Sequence, residues 1–441
     1  MYSQTLYHYE SKKIHFKHLF VIILSYLIFV PYPGFLGEIF LRMIDLSVIG
    51  LFVLLHLFIV RDKPINIHLE KNNYNAIIIL MYFLFMWQGF VILYNSLFKG
   101  HVIIADVFDL YKLPTYFLAF YTGIQLSNES ILDDKQIWKI ISYILLIQFI
   151  LSIVQMVFGG YTQALYSPRD LERIYLHYNH RAIGTFGNPN FLSVFATICA
   201  SWYFYLVINI RKKRILNFFL LFISVFLILL TQSRTGFLIT IFLFFILIIF
   251  TFIKRKKVVS IFLLIFLIVL SILFLKQVQS GQLNFSFFGY DFNYLTSGLT
   301  TLVNEGLMEQ SSFKQRTILW KIMIEHFEEN PFLGNGPSKG VEGIPDVADN
   351  NYIFILFKYG IIGLFLWLAM VGLVIRKITS LIGNVNNNYL LSYLLIYWIV
   401  LLLTSLTMES LESIRMTTIA FFLTGICMTN NTHNRKSRKL S

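Results

Sequence analysis

Residues 211–257 read RKKRILNFFLLFISVFLILLTQSRTGFLITIFLFFILIIFTFIKRKK. Two apolar runs, 215–231 and 236–253, lie between basic blocks at 211–214 and 254–257, and a short polar turn carrying Arg234 joins them. A helix of about 20 such residues crosses a hydrocarbon layer of roughly 30 Å. Lys and Arg flank each run on the side away from the turn, the charge bias of cytoplasmic loops. The hairpin therefore predicts two membrane spans with their far ends inside and the turn outside.

The rest of the chain follows the same pattern. Of 441 residues, 57% are hydrophobic and only 13% charged, where a soluble surface needs roughly 25%; the mean hydropathy is +0.68. Apolar runs predict about twelve transmembrane helices, near 18–33, 43–60, 74–95, 109–127, 138–158, 189–210, 215–231, 236–253, 258–275, 351–375, 389–406 and 413–428. The expected fold is an all-α integral membrane protein, a single polytopic membrane domain over 1–441. The first apolar run has no small-residue cleavage site before it and reads as a retained span. Cys199 and Cys427 both lie inside apolar runs and read as small core residues. The formal charge of +13 does not indicate nucleic acid, because the basic blocks cap apolar runs. With 211–214, 254–257 and 376–377 inside, the parity of the spans places both termini in the cytoplasm.

Two long segments then face outward, 159–188 and 276–350. An outward loop as long as the second is expected to be functional. Within it, SSFKQRTILWKIMIEHFEEN (311–330) spaces Phe313, Leu319, Trp320, Met323 and Phe327 as one helical face, and Pro331 stops the helix. This predicts an amphipathic helix on the outer membrane surface. No repeat relates the halves of the chain, which argues against a common transporter architecture.

Arginine at an outer membrane face runs against the positive-inside bias. Arg169, Arg173 and Arg181 fall in the first outer loop, Arg234 in the turn and Arg316 on the amphipathic helix. A guanidinium stays charged in a low-dielectric setting and binds phosphate through paired N–H groups, so an outer-leaflet diphosphate is the expected ligand. The plain alternative has Arg234 pairing with a carboxylate or capping the carbonyls that end the 215–231 helix. Asp346 and Asp349 precede the 351–375 span, where Asp349 is a candidate general base or N-cap. Lys358, about two turns further on, is a candidate counter-ion to a buried carboxylate or a diphosphate ligand. The outer loops contain no DxD, HExxH or phosphate-binding glycine loop, so neither a metal nor a cofactor is expected.

Four stretches resemble the O-antigen ligase and polymerase superfamily: GTFGNPNFLSVFA (184–196), TQSRTGFL (231–238), KQRTILWKIMIEHFEENPFLGNGP (314–337) and DNNYIFILFKYGIIGLF (349–365). The resemblance implies a GT-C-like helical membrane fold and a metal-independent, inverting glycosyltransferase of the bacterial inner membrane. Its donor and acceptor would be glycans on undecaprenyl diphosphate, with a chain-length-regulating membrane protein as a further partner. It implies that Arg234 and Arg316 hold the leaving diphosphate and that Asp349 is catalytic. With Arg173, Arg181 and Lys358 from the outer-face charges, Asn350, Tyr352 and Asn188 complete the candidate binding residues. Ligases of this superfamily carry His before the Asn of the fourth stretch, and an acidic residue about nine positions on; this chain has Asp349 and Lys358. That favours a lipopolysaccharide or other surface-polysaccharide polymerase over a ligase, with a lipid-linked oligosaccharide flippase as the alternative of another class.

Overall fold

The computed structural model describes residues 19–60, 74–99, 104–129, 134–169, 181–210, 213–255, 293–306, 311–339, 341–382 and 389–439, with isolated positions between 170 and 180 and between 256 and 292. A helix stands over each expected span except 258–275, most of which lies outside the described residues. The helices are α1 (Leu19–Phe29), α2 (Glu38–Val60), α3 (Asn75–Lys99), α4 (Ile104–Val107), α5 (Lys112–Glu129), α6 (Asp134–Phe158), α7 (Gly160–Ala164), α8 (Pro189–Asn209), α9 (Arg214–Thr231), α10 (Arg234–Arg255), α11 (Asn293–Asn304), α12 (Ser311–Glu329), α13 (Asn351–Ile382), α14 (Tyr389–Thr404) and α15 (Ile414–Lys439). A two-residue antiparallel pair, β1 (Ser286–Phe287) with β2 (Tyr290–Asp291), is the one exception to the all-α expectation among the described residues. Among the described residues six helices are long and apolar enough to cross a membrane, within α3, α6, α8, α9, α10 and α13. Four shorter apolar helices accompany them, at Leu19–Phe29, Met43–Leu57, Tyr389–Thr404 and Ile414–Met428.

The chain packs as two compact units. Unit 1 holds residues 1–30, 42–140 and 319–441. Its tightest crossing brings α5 against α15. A Cβ on Gly123 would lie 2.3 Å from the Phe422 carbonyl oxygen, and one on Gly425 would lie 2.1 Å from that of Phe120. Two facing glycines let the backbones approach, as membrane helices need when apolar burial alone gives no preference for protein over lipid. Unit 2 holds 31–41 and 141–318. There α8 packs on α9 and α10, and Gly236 makes room for Ser193 while Thr197 and Thr240 share a 3.0 Å hydrogen bond.

Helix α13 is broken, which the apolar run does not reveal. Gly360 has φ 66° and ψ −173°, a conformation favoured only by glycine. The break frees carbonyls that a hydrocarbon interior cannot satisfy. The Gly-x-Gly turn takes two of them: Asn335 N–H donates to the Phe357 carbonyl at 2.8 Å and Gly336 N–H to that of Lys358 at 2.9 Å. Trp87 Nε1 takes the third, on Tyr359, at 2.9 Å. The freed Ile361 N–H donates to the Pro331 carbonyl at 2.9 Å. Helix α12 forms over the expected residues and ends before Pro331. Its apolar stripe, expected to face the membrane, packs on the start of α13: Met323 is fully buried with Ala348, Phe354 and Phe357, and Trp320 Nε1 donates to the Ala348 carbonyl at 2.7 Å.

Candidate functional site

In unit 1 the polar ADNN stretch, 348–351, is received by the turn between α14 and α15. Glu409 Oε1 accepts the N–H groups of Ala348 and Asp349, at 2.6 and 3.2 Å. Asn350 Nδ2 donates to the Leu406 carbonyl, Asn351 N–H to that of Ser405, and the Tyr352 hydroxyl to that of Leu402. Asn351 Oδ1 in turn accepts from the Glu412 N–H. The expected N-cap role moves by one residue. Asp349 sits at φ 50°, outside the β region a capping residue adopts, and Asn350 Oδ1 accepts from the Tyr352 and Ile353 N–H groups instead. Tyr352 and Asn350 thus use their polar atoms to anchor α13.

Lys358 is a counter-ion. Its side chain is 1% exposed, with Nζ 2.8 Å from Asp109 Oδ2, 3.9 Å from Glu412 and 3.7 Å from the centre of the Phe354 ring. Asp109 also takes Lys339 at 2.8 Å and Lys112 at 3.3 Å, and Lys112 pairs with Glu412. Asp106, fully buried, accepts the Lys339 N–H at 2.9 Å. A cavity of about 10 Å³, room for a single water, lies among Gln88, Asp109, Lys112, Tyr359 and Glu412. Burial alone would raise the Glu412 pKa, but Lys112 and Lys358 outweigh it and hold the group below its ordinary value. Glu409 has the opposite balance: burial pushes it up to about 7, against the pull of the Ala348 N–H and Lys358, with Asp349 and Glu412 adding repulsion. Sequence reading passed over Asp106, Asp109, Lys112, Glu409 and Glu412. The available signal was carboxylates beside apolar runs, in IADVFDLYK (104–112) and TMESLE (407–412).

In unit 2 the segment RAIGTFGN (181–188) is irregular backbone held by glutamines. Gln155 Oε1 accepts the Ile183 and Gly184 N–H groups and its Nε2 donates to the Gly184 carbonyl. Gln148 exchanges two bonds with Thr185, and Gln163 donates to the Arg181 carbonyl. Asn188 caps α8, accepting the Asn190 N–H at 2.8 Å. The carbonyl cap at the end of α9, considered for Arg234, belongs to Arg181, whose Nε donates to the Thr231 oxygen at 3.0 Å and whose Nη2 lies 3.4 Å from Asn190 Oδ1. Arg181 is buried, whereas Arg234, the first residue of α10, is half-buried. Each guanidinium carbon lies 4.6 Å from the centre of the Tyr294 ring. Among the described residues no carboxylate is within ion-pair distance of Arg234.

The structure thus joins Arg181, Arg234 and Asn188 in unit 2, and Asp349, Asn350, Tyr352 and Lys358 in unit 1. Arg316 is half-buried on α12, and Arg173 lies outside the described residues. Segments that span parity assigns to one face do meet: 104–112, 335–351 and 405–412 in unit 1, and 181–188, 231–234 and 293–298 in unit 2. Among the described residues no group of three His, Cys, Asp or Glu is placed to hold a metal ion. No curated protein matches the chain. Residues 218–368, from the second turn of α9 through the break in α13, match the family model described as O-antigen ligase.

Proposed function

We propose that the chain polymerises a bacterial surface polysaccharide. It transfers a glycan from undecaprenyl diphosphate to a hydroxyl of the next lipid-linked repeat unit, at the outer face of the cytoplasmic membrane. The bond from the anomeric carbon to the diphosphate oxygen breaks, and its electron pair leaves on the diphosphate. The acceptor oxygen bonds to the opposite face of that carbon, and its proton passes to a carboxylate, for which Asp349 is the candidate. Arg234 and Arg316 stabilise charge on the leaving diphosphate.

The observation that carries this reading is Arg234. It lies inside the matched stretch and opens α10, where the helix dipole favours an anion. A half-buried guanidinium that faces an aromatic ring, with no carboxylate in range among the described residues, presents N–H groups suited to phosphate oxygens. Asp349, standing where the ligases it resembles carry His, favours polymerase over ligase.

The test is the polysaccharide ladder in a host lacking its own copy of the gene, complemented with the wild type or with Arg234→Ala at equal protein level. Loss of one preorganised charge-stabilising group costs about 2.7–4 kcal/mol in barrier, roughly 100- to 1000-fold in rate. The ladder should collapse to single repeat units attached to their final carrier. Polymer stranded on undecaprenyl diphosphate would instead assign a ligase, and a normal ladder with R234A would overturn the role of Arg234.

A further inference from the structure

Helix α11 belongs to the long loop 276–350 and has no part in the reading above. Its own packing is simple. Leu295 and Leu299 are buried, and with Leu302 and Val303 they meet Leu229 of α9 and Phe237 of α10. Spacings of four and three place these leucines on one helical stripe. Tyr294 and Gly298, each one residue earlier, form the neighbouring stripe, and both meet Arg234. The Tyr294 ring faces its guanidinium. A Cβ on Gly298 would lie 2.3 Å from Arg234 Cζ and 2.4 Å from Nε and Nη1.

Packing alone does not call for these residues. Glycine in a helix interior is less favourable than alanine, and the leucine stripe already seats α11. Position 298 is left open where the guanidinium lies, so an alanine there has to displace it. The same ring is in contact with Arg181, which ties the α9 cap to the same spot.

We infer that α11 is a positioning element of the diphosphate site: Tyr294 and Gly298 form a seat that fixes the Arg234 guanidinium, with the ring at its face and the missing side chain at its edge. This rests on the proposed role of Arg234. Tyr294 acts through its ring, since a guanidinium is attracted to the π face of an aromatic, so the hydroxyl is dispensable. Neither residue touches the reacting atoms; both act by orienting Arg234.

The experiment compares full-length wild type, G298A, Y294F, Y294L and R234A. Each is purified in detergent and assayed for polymerisation of undecaprenyl-diphosphate-linked repeat units, with thermal stability measured alongside. G298A should melt no lower than wild type, because alanine favours the helix, yet lose about ten-fold or more in turnover, part of what R234A loses. Y294F should keep most of the rate and Y294L should lose it. On the R234A background G298A should cost nothing further, because residues acting through one group are not additive. Full activity of G298A, or equal rates for Y294F and Y294L, with R234A inactive overturns the inference and leaves the diphosphate reading standing. Full activity of R234A overturns that reading and the inference with it.

Discussion

In unit 1 three lysines converge on Asp109, and Lys112 and Lys358 also meet Glu412, whereas in unit 2 Arg234 meets an aromatic ring and, among the described residues, no carboxylate in range. The first arrangement is closed. Each of its lysines has a carboxylate in range beside the break in α13, and burying a charge in a membrane interior normally requires such pairing. What it accomplishes is mechanical: Lys358 precedes the break by two residues, so its ion pair, the Gly-x-Gly turn and Trp87 together hold the unwound turn in place. The second arrangement shows no such pairing among the described residues. On the proposed reading, that difference separates cations paired within the protein from one that meets a diphosphate.

The largest expected effect breaks the closed network. Asp109→Asn leaves Lys339 and Lys358 without their nearest anion in a site where both Asp109 and Lys358 are buried. Removing one member of a buried ion pair costs about 3–5 kcal/mol, so D109N should melt well below wild type in detergent and accumulate poorly. Arg234→Ala should do the reverse, abolishing polymer while its melting temperature stays near that of wild type. If R234A unfolds and D109N does not, the distinction between the two regions is wrong.

Next in size is a neutral counterpart in unit 2. Gln155→Leu keeps the volume of an apolar span but strips three hydrogen bonds from Ile183 and Gly184. Leaving buried backbone groups unpaired costs about 1–3 kcal/mol each, so a loss of at least about 2 kcal/mol is expected. Faster proteolysis within 181–188 would report it, since that backbone has no helix or sheet to fall back on.

Much of this was legible in the chain. Runs of apolar residues between basic blocks placed the helices because length and charge bias are one-dimensional properties. Lys358 stood out because a cation in such a run has few explanations, and Arg234 and Arg181 because arginine at an outer face runs against the positive-inside bias. Partners did not stand out: Asp109 and Lys358 are 249 positions apart, and nothing in either neighbourhood names the other. The break at Gly360 was hidden because GIIG inside an apolar run reads as uninterrupted helix. Only the docking of Gly334 and Gly336, with φ 75° and 73°, explains why the chain needs a glycine there. Gln148 and Gln155 were visible as polar residues within a span, one heptad apart, and their target loop was not.

A finer comparison separates two neighbours at the start of α13. Asn350→Ala removes the cap on Tyr352 and Ile353 and the bond to Leu406; a lost cap alone costs about 1 kcal/mol. Asp349→Gly should act oppositely. It relieves a non-glycine residue at φ 50°, a conformation disfavoured by roughly 1–2 kcal/mol, so the melting temperature should rise slightly while catalysis falls if Asp349 handles the acceptor proton. Were D349G to destabilise as much as N350A, the cap would belong to Asp349 after all.

The smallest effect is a pH dependence carried by Glu409. Its pKa is raised by burial to about 7, above the unfolded carboxylate range near 4.3, so the folded state holds a proton that the unfolded state releases. The stability this contributes is fully present below the unfolded value and falls as pH rises, the loss being complete once the pH passes about 7. Glu409 is half-buried, and solvent screening reduces what the shift is worth. Glu409→Gln keeps an acceptor for the Ala348 and Asp349 N–H groups but cannot ionise. The melting temperature of wild type should therefore decline relative to E409Q between about pH 5 and 7 and run parallel to it above pH 8. Parallel curves throughout would mean that Glu409 is already ionised at low pH, with Lys358 rather than burial governing its charge. The turn that receives ADNN would then belong to the closed network of unit 1.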